Sequence, residues 1–232
     1  MATVMRPDEV MRAIDALASG DVRAGMARFG IPTDNARGVS TPQLKALARK
    51  IGRDHALAGR LWASGVFEAR VVAALIDEPD RVTRAQMDRW ARDLDSWAVC
   101  DACCCYLFRR TPFAWDKAVA WSGREAEFVK RAGFALMAYL AVHDKAAGDE
   151  SFAAFLPVIE READDPRLYV RKGVNWALRQ IGKRNARLNA LAIRTAEAVR
   201  ARDTPSARWI AADALRELRS PAVRARLKTR EA

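Results

Sequence analysis

The sequence predicts an all-α protein: one domain over residues 1–232, an α-solenoid of stacked antiparallel helix pairs with a concave basic groove. Three observations carry that prediction. Period-two alternation of apolar and polar residues is absent, and no Asn-Gly or Asp-Gly hairpin turn occurs. A Ser, Thr or Asp followed by proline recurs at Thr41-Pro42, Thr111-Pro112, Asp165-Pro166, Thr204-Pro205 and Ser220-Pro221, each ahead of a helical pattern. The joints are short, the longest running from Gly30 to Ser40, and two helices with their turns take about 30 to 40 residues, the length of a tandem helical repeat. Similarity between successive units is weak, so the repeat reading rests on helix rhythm, and a compact bundle is the alternative.

Helical spacing places helices near 8–18, 21–29, 41–52, 54–64, 66–77, 83–93, 96–109, 113–122, 125–143, 149–162, 166–183, 185–202, 205–218 and 220–229. The third carries Leu44, Leu47, Ala48 and Ile51 on one stripe, with Lys45, Arg49 and Lys50 off it. The fourth carries Leu57, Leu61 and Trp62, and the fifth turns Phe67, Val71, Ala74 and Leu75 inward. Glu68 and Arg70 read as inter-helix ion pairs or caps. The helix over 125–143 is apolar on most sides, interrupted by Lys130 and Arg131. The last two carry Trp209, Ile210, Ala214, Leu215, Val223 and Leu227 under a coat of arginines, as a basic terminal repeat would.

Half the residues are apolar, which excludes a disordered chain. No apolar run approaches the ~20 residues of a membrane span, and a basic-then-apolar signal pattern is missing from the N-terminus, so a soluble cytoplasmic protein is expected. The net charge of +11 is uneven. Residues 161–232 hold 18 Lys and Arg against 8 Asp and Glu, a net of +10, while residues 1–160 are close to neutral. A neutral body with a basic C-terminal third points to an anionic partner held on a shaped surface. Cys100, Cys103, Cys104 and Cys105 lie within about two helical turns, too close together for zinc or iron–sulfur ligation, and read as small reduced core residues.

Three stretches have the residue types of a binding or reacting site. In Asp164–Arg184, Asp165-Pro166 reads as a helix start. At about 100° per residue, Lys172, Trp176, Arg179 and Lys183 fall within roughly 60° of one another, opposite Val170, Val174, Ala177 and Ile181. Three cations around an indole suit a phosphate backbone with a sugar or base against the ring; a solvated basic face is the other reading. In Asp95–Asp101, Ser96 is a good cap, and Trp97 and Asp101 share a face opposite Val99, Cys103, Tyr106 and Leu107. A carboxylate there could stabilise developing positive charge on a reacting sugar, or could cap a helix or pair with an arginine. Arg131 has small neighbours, Ala135 and Ala138, along its face, which suits either a bidentate phosphate contact or a structural ion pair.

Trp62 with Glu68-Ala69-Arg70, Asp95-Ser96-Trp97 through Asp101, Phe128-Val129-Lys130-Arg131, Val170-Arg171-Lys172 through Trp176-Ala177-Leu178-Arg179, and Ala207 through Leu218 occur in an order that resembles the AlkD-type DNA alkylation repair family, built from HEAT-like repeats. The likeness spans roughly residues 35–228. It implies a DNA glycosylase that hydrolyses the N-glycosidic bond of cationic N7- and N3-alkylated purines such as 7-methylguanine and 3-methyladenine. It implies catalysis without the base flipping that most glycosylases use. The family's aspartate, arginine and two tryptophans map onto Asp101, Arg131, Trp97 and Trp176, with Lys172, Arg179, Lys183, Arg171 and Lys130 as backbone contacts. The implied partner is double-stranded DNA carrying alkylated purines, met by a monomer without membrane, metal or small-molecule cofactor. A non-catalytic binder of duplex or branched DNA and a helical-repeat adaptor for an acidic protein are the other readings.

Overall fold

The computed structural model describes residues 5–231 and the side chains of 5–229, and among these it contains helices and turns but no strand. The fold is the expected all-α arrangement of short stacked helices. Contacts divide the predicted single domain into two compact units, Met1–Phe113 and Ala114–Ala232; residues 1–4 and 232 of that domain lie outside the described residues.

The first unit holds α1 (Pro7–Asp15), α2 (Gly20–Arg28), α3 (Thr41–Ile51), α4 (His55–Ala63), α5 (Phe67–Ile76), α6 (Arg84–Arg92) and α7 (Trp97–Tyr106), with 3-10 turns at Pro79–Arg81 and Phe108–Arg110. Helix α5 is its centre, packed between α3 and α7 and crossed by α4. Small fully buried side chains, Ala69, Ala73 and Ala74, let those neighbours approach. The stripe Leu44, Leu47, Ala48 and Ile51 is buried as its spacing predicts. Phe67 and Leu75, expected inside, are only half-buried.

Trp62 and Trp90 stack face to face, ring centres 4.1 Å apart, with Trp62 Nε1 donating to Asp93 and the Arg70 guanidinium over the indole. Arg70 also reaches the Asp93 carbonyl and the Asp95 carboxylate. The helix predicted over 96–109 ends at Tyr106. A 3-10 turn follows and the chain goes extended at Thr111, where the next residue, Pro112, disfavours helical backbone.

Glu68 is fully buried and meets no arginine head group. Its carboxylate accepts the backbone N–H groups of Arg37 (2.9 Å), Gly38 (2.7 Å) and Val39 (3.2 Å), so it caps the longest joint of the chain. Gly38 sits at φ 79°, and a Cβ there would lie 2.2 Å from the Ser19 carbonyl oxygen.

The second unit holds α8 (Ala114–Ser122), α9 (Glu127–His143), α10 (Asp149–Ala153), α11 (Leu156–Arg161), α12 (Leu168–Gly182), α13 (Ala186–Arg200), α14 (Pro205–Leu218) and α15 (Pro221–Glu231). The helix predicted over 149–162 is two helices. Pro157 lies in the first turn of α11, where its missing N–H and its clash with the preceding turn break the run. Helix α12 begins at Leu168, and Asp165 is not its cap; its carboxylate accepts the N–H of Arg167 in the turn before it. Trp209 is exposed rather than core: Arg171 covers its ring, while Ile210 and Ala214 are buried.

Helix α12 lies against α9, α13 and α14. Its stripe Val170, Val174, Ala177 and Ile181 is fully buried. Contacts between α12 and α14 keep a constant offset: Arg171 covers Trp209, Asn175 bonds Asp213 and Arg179 bonds Glu217, each pair 38 apart. A constant offset means that the two helices run the same way, one repeat apart. Gly133 permits the closest approach of α8 to α9, since a Cβ there would stand 2.5 Å from the Ser122 nitrogen.

Glu68→Ala strands three backbone donors and should cost about 3 kcal/mol or more. The expected outcome is a lower midpoint of chemical unfolding, with fluorescence of the buried tryptophans as the readout.

Candidate functional site

Helix α7 starts at Ser96, whose hydroxyl accepts the Val99 N–H, and this cap aims the first turn. Val99, Cys100, Cys103 and Cys104 turn inward and are fully buried, and burial pushes the Cys103 and Cys104 thiols up. The opposite side carries Trp97 and, one turn on, Asp101, both half-buried. Trp97 Nε1 donates to the Phe29 carbonyl at 3.0 Å, so the indole is anchored by one edge. Phe29 closes α2 just before Gly30, which takes φ 69°, and the phenyl ring is 72% exposed. This anchor spans 68 residues, and no sequence signal marks it.

In the second unit, Arg131 is buried at 6% exposure and donates to the Tyr169 carbonyl at 2.9 Å, holding the first turn of α12. An added Cβ on Gly173 would lie 3.7 Å from Arg131 Cγ, so α9 and α12 touch closely here. Trp176 is half-buried, and Tyr139 of α9 stands edge-on to it with ring centres 4.8 Å apart. The sequence reading passed over Tyr139, although it lies one turn after Ala135 on the Arg131 side of α9. The four residues implied by resemblance thus fall two to each unit.

The predicted backbone cations separate into two groups. Lys172 is exposed, and Arg171 is half-buried against Trp209. Lys130 is paired with Glu162 (2.6 Å) and Asp165 (3.0 Å). Glu217 takes both Arg179 and Lys183, and Asp213 lies 3.5 Å from Arg179. Burial would raise the Glu217 carboxyl, but bonding to Lys183 and the charges of Arg179 and Lys183 lower it. The three-cation face read from α12 alone is therefore partly neutralised by α14. These partners lie 34 and 38 residues downstream, out of reach of any helical-spacing argument.

The chain matches the family model described as "DNA alkylation repair enzyme" over residues 10–218. It belongs to the DNA alkylation repair enzyme family. One solved structure, described as "A new family of proteins related to the HEAT-like repeat DNA glycosylases with affinity for branched DNA structures", is similar at 20% identity and a TM-score of 0.78, covering 96% of each chain. That likeness identifies the fold as HEAT-like repeat. No curated protein matches the sequence. Within this family fold, the same-direction stacking of α9, α12 and α14 accounts for the neutralised face: each helix meets the charges of the next repeat.

Asp165 carries the largest resolved carboxylate shift. Burial acts to raise it, and hydrogen bonds from Arg167 and Lys130 overcome burial and hold it at about 2, against an ordinary 3.8. A lowered folded-state value stabilises the charged form in the fold. The contribution is present above about pH 4 and is lost as pH falls through 2, on the order of 2 kcal/mol for this shift. Asp165→Asn should lower stability near neutral pH and flatten its decline in acid, measured by unfolding midpoints along a pH series.

Proposed function

We propose that this chain is a DNA glycosylase that releases cationic N7- and N3-alkylated purines from duplex DNA by hydrolysis of the N-glycosidic bond. Membership of the DNA alkylation repair enzyme family supports the reaction class. The observation that carries the assignment to particular residues is the face of α7, where an indole pinned by one edge stands a turn from a half-buried carboxylate, above a fully buried stripe.

The chemistry suits a site of this kind. An alkylated purine already bears positive charge and leaves without strong acid catalysis. The barrier then lies in the oxocarbenium-like sugar that remains, as in other glycoside hydrolysis. In this reading the Asp101 carboxylate stabilises that cation and orients the attacking water. The exposed edges of Trp97 and Trp176 pack on deoxyribose. Lys172, exposed on α12, adds a phosphate contact. The burial of Arg131 and its bond to the Tyr169 carbonyl support a positioning role, keeping α12 and hence Trp176 in register with α9.

A second reading is favoured by the similar structure, whose protein is described as having affinity for branched DNA. In that reading the same faces bind junctions without chemistry.

The deciding measurement is release of 7-methylguanine from methylated duplex DNA by wild type and Asp101→Asn. Release should fall by about 10²-fold or more in the variant, in line with the loss of an electrostatic stabiliser, while duplex affinity is kept. Release that survives the substitution would remove Asp101 from the chemistry. No release by wild type, with four-way junctions bound in preference to duplex, would favour the second reading.

A further inference from the structure

The cations without carboxylate partners lie on α3, not on α12. Lys45, Arg49 and Arg53 line an open pocket of about 330 Å³ in the first unit, floored by Ala48, Gly52 and Leu75. Lys45 and Arg49 are one turn apart on α3, and Arg53 follows the Gly52 cap. Each cation that has a contact has a neutral one. Lys45 Nζ stands 5.1 Å above the Tyr106 ring, and Arg53 donates to the Leu75 and Asp77 carbonyls at 3.1 and 2.5 Å. These contacts fix where the charges sit without cancelling them. Among the described residues none of the three forms an ion pair. The contrast with Lys130, Arg179 and Lys183, all held by carboxylates, is direct.

Gly52 leaves the rim open, since a Cβ there would meet nothing within 4 Å. The floor is apolar, which weakens screening of the three charges by water. A cradle of three positive groups with no internal counter-ion suits one tetrahedral anion bearing several acceptor oxygens. We infer that this pocket takes a backbone phosphate of the DNA, making α3 a phosphate-gripping element alongside the α7 face. The inference rests on the DNA reading of the protein. The competing role for the same cations is to offset the negative C-terminal end of α3, which involves no ligand.

The test is a salt series of DNA binding, read by fluorescence anisotropy with an unmodified labelled duplex. Wild type is compared with Lys45→Gln/Arg49→Gln and with the charge-preserving Lys45→Arg/Arg49→Lys. The slope of log affinity against log salt should become shallower by about 1 to 2 in the Gln pair, since each phosphate contact contributes roughly 0.9. The loss should be the same for unrelated duplex sequences, and the charge-preserving pair should keep the wild-type slope. A steep wild-type slope left unchanged in the Gln pair, with a lowered melting temperature, would overturn this inference alone and leave the helix-end role. A flat wild-type slope would overturn the DNA reading and this inference with it. Thermal protection of wild type by inorganic phosphate, lost in the Gln pair while the DNA slope stays unchanged, would assign the pocket to free phosphate and overturn the backbone contact.

Discussion

Every helix here is short, between 5 and 17 residues, and helices of that length are marginal on their own in water. Their order depends on burying one stripe against the neighbours before and after. That constraint explains why the buried faces are lined with alanine and glycine. Ala69, Ala73 and Ala74 on α5, and Gly133 and Gly173 on α9 and α12, set inter-helix distances small enough for long side chains to bridge to the next repeat. Bulkier residues there would push the layers apart and break the Glu68 cap and the Asn175–Asp213 bond.

The polar contacts follow the same geometry. With α12 and α14 running the same way, a charge on one meets its opposite 38 residues on: Arg179 with Glu217, Asn175 with Asp213, and Asp164 with Arg202. Partly exposed pairs of this kind add modest stability, but they fix register and decide where charge is left over. In the second unit the acids of each repeat consume cations of the repeat before. The first unit leaves Lys45 and Arg49 without acids. A net charge of +10 in the last third of the sequence is thus a poor guide to where an anion would sit.

The candidate chemistry places a modest demand on the protein. A lesion that is already a cation needs neither a strong acid nor an activated nucleophile, only a placed negative charge and a sugar held still. A half-buried carboxylate beside an anchored indole meets that demand without a deep pocket. The stiffness of α7 comes from its Ser96 cap and its buried cysteine side, so the cysteines serve as packing behind the reactive face.

Much of this was legible in the chain. Helix spacing, proline-marked starts and one-sided apolar stripes determined the fold class, most helix positions, the buried faces of α3, α7 and α12, and the order of motifs that resembles the repair family, because all of these are local properties with a period near 3.6 residues. Tertiary structure alone decided three things. Glu68 caps a loop 30 residues away instead of pairing with a cation; Trp97 is anchored on a carbonyl 68 residues away; and Glu217 occupies two of the α12 cations while α3 keeps its own uncompensated. Helix periodicity states which residues share a face. Which repeat that face meets, and whether the neighbour brings an opposite charge, is a long-range fact fixed only when the helices stack.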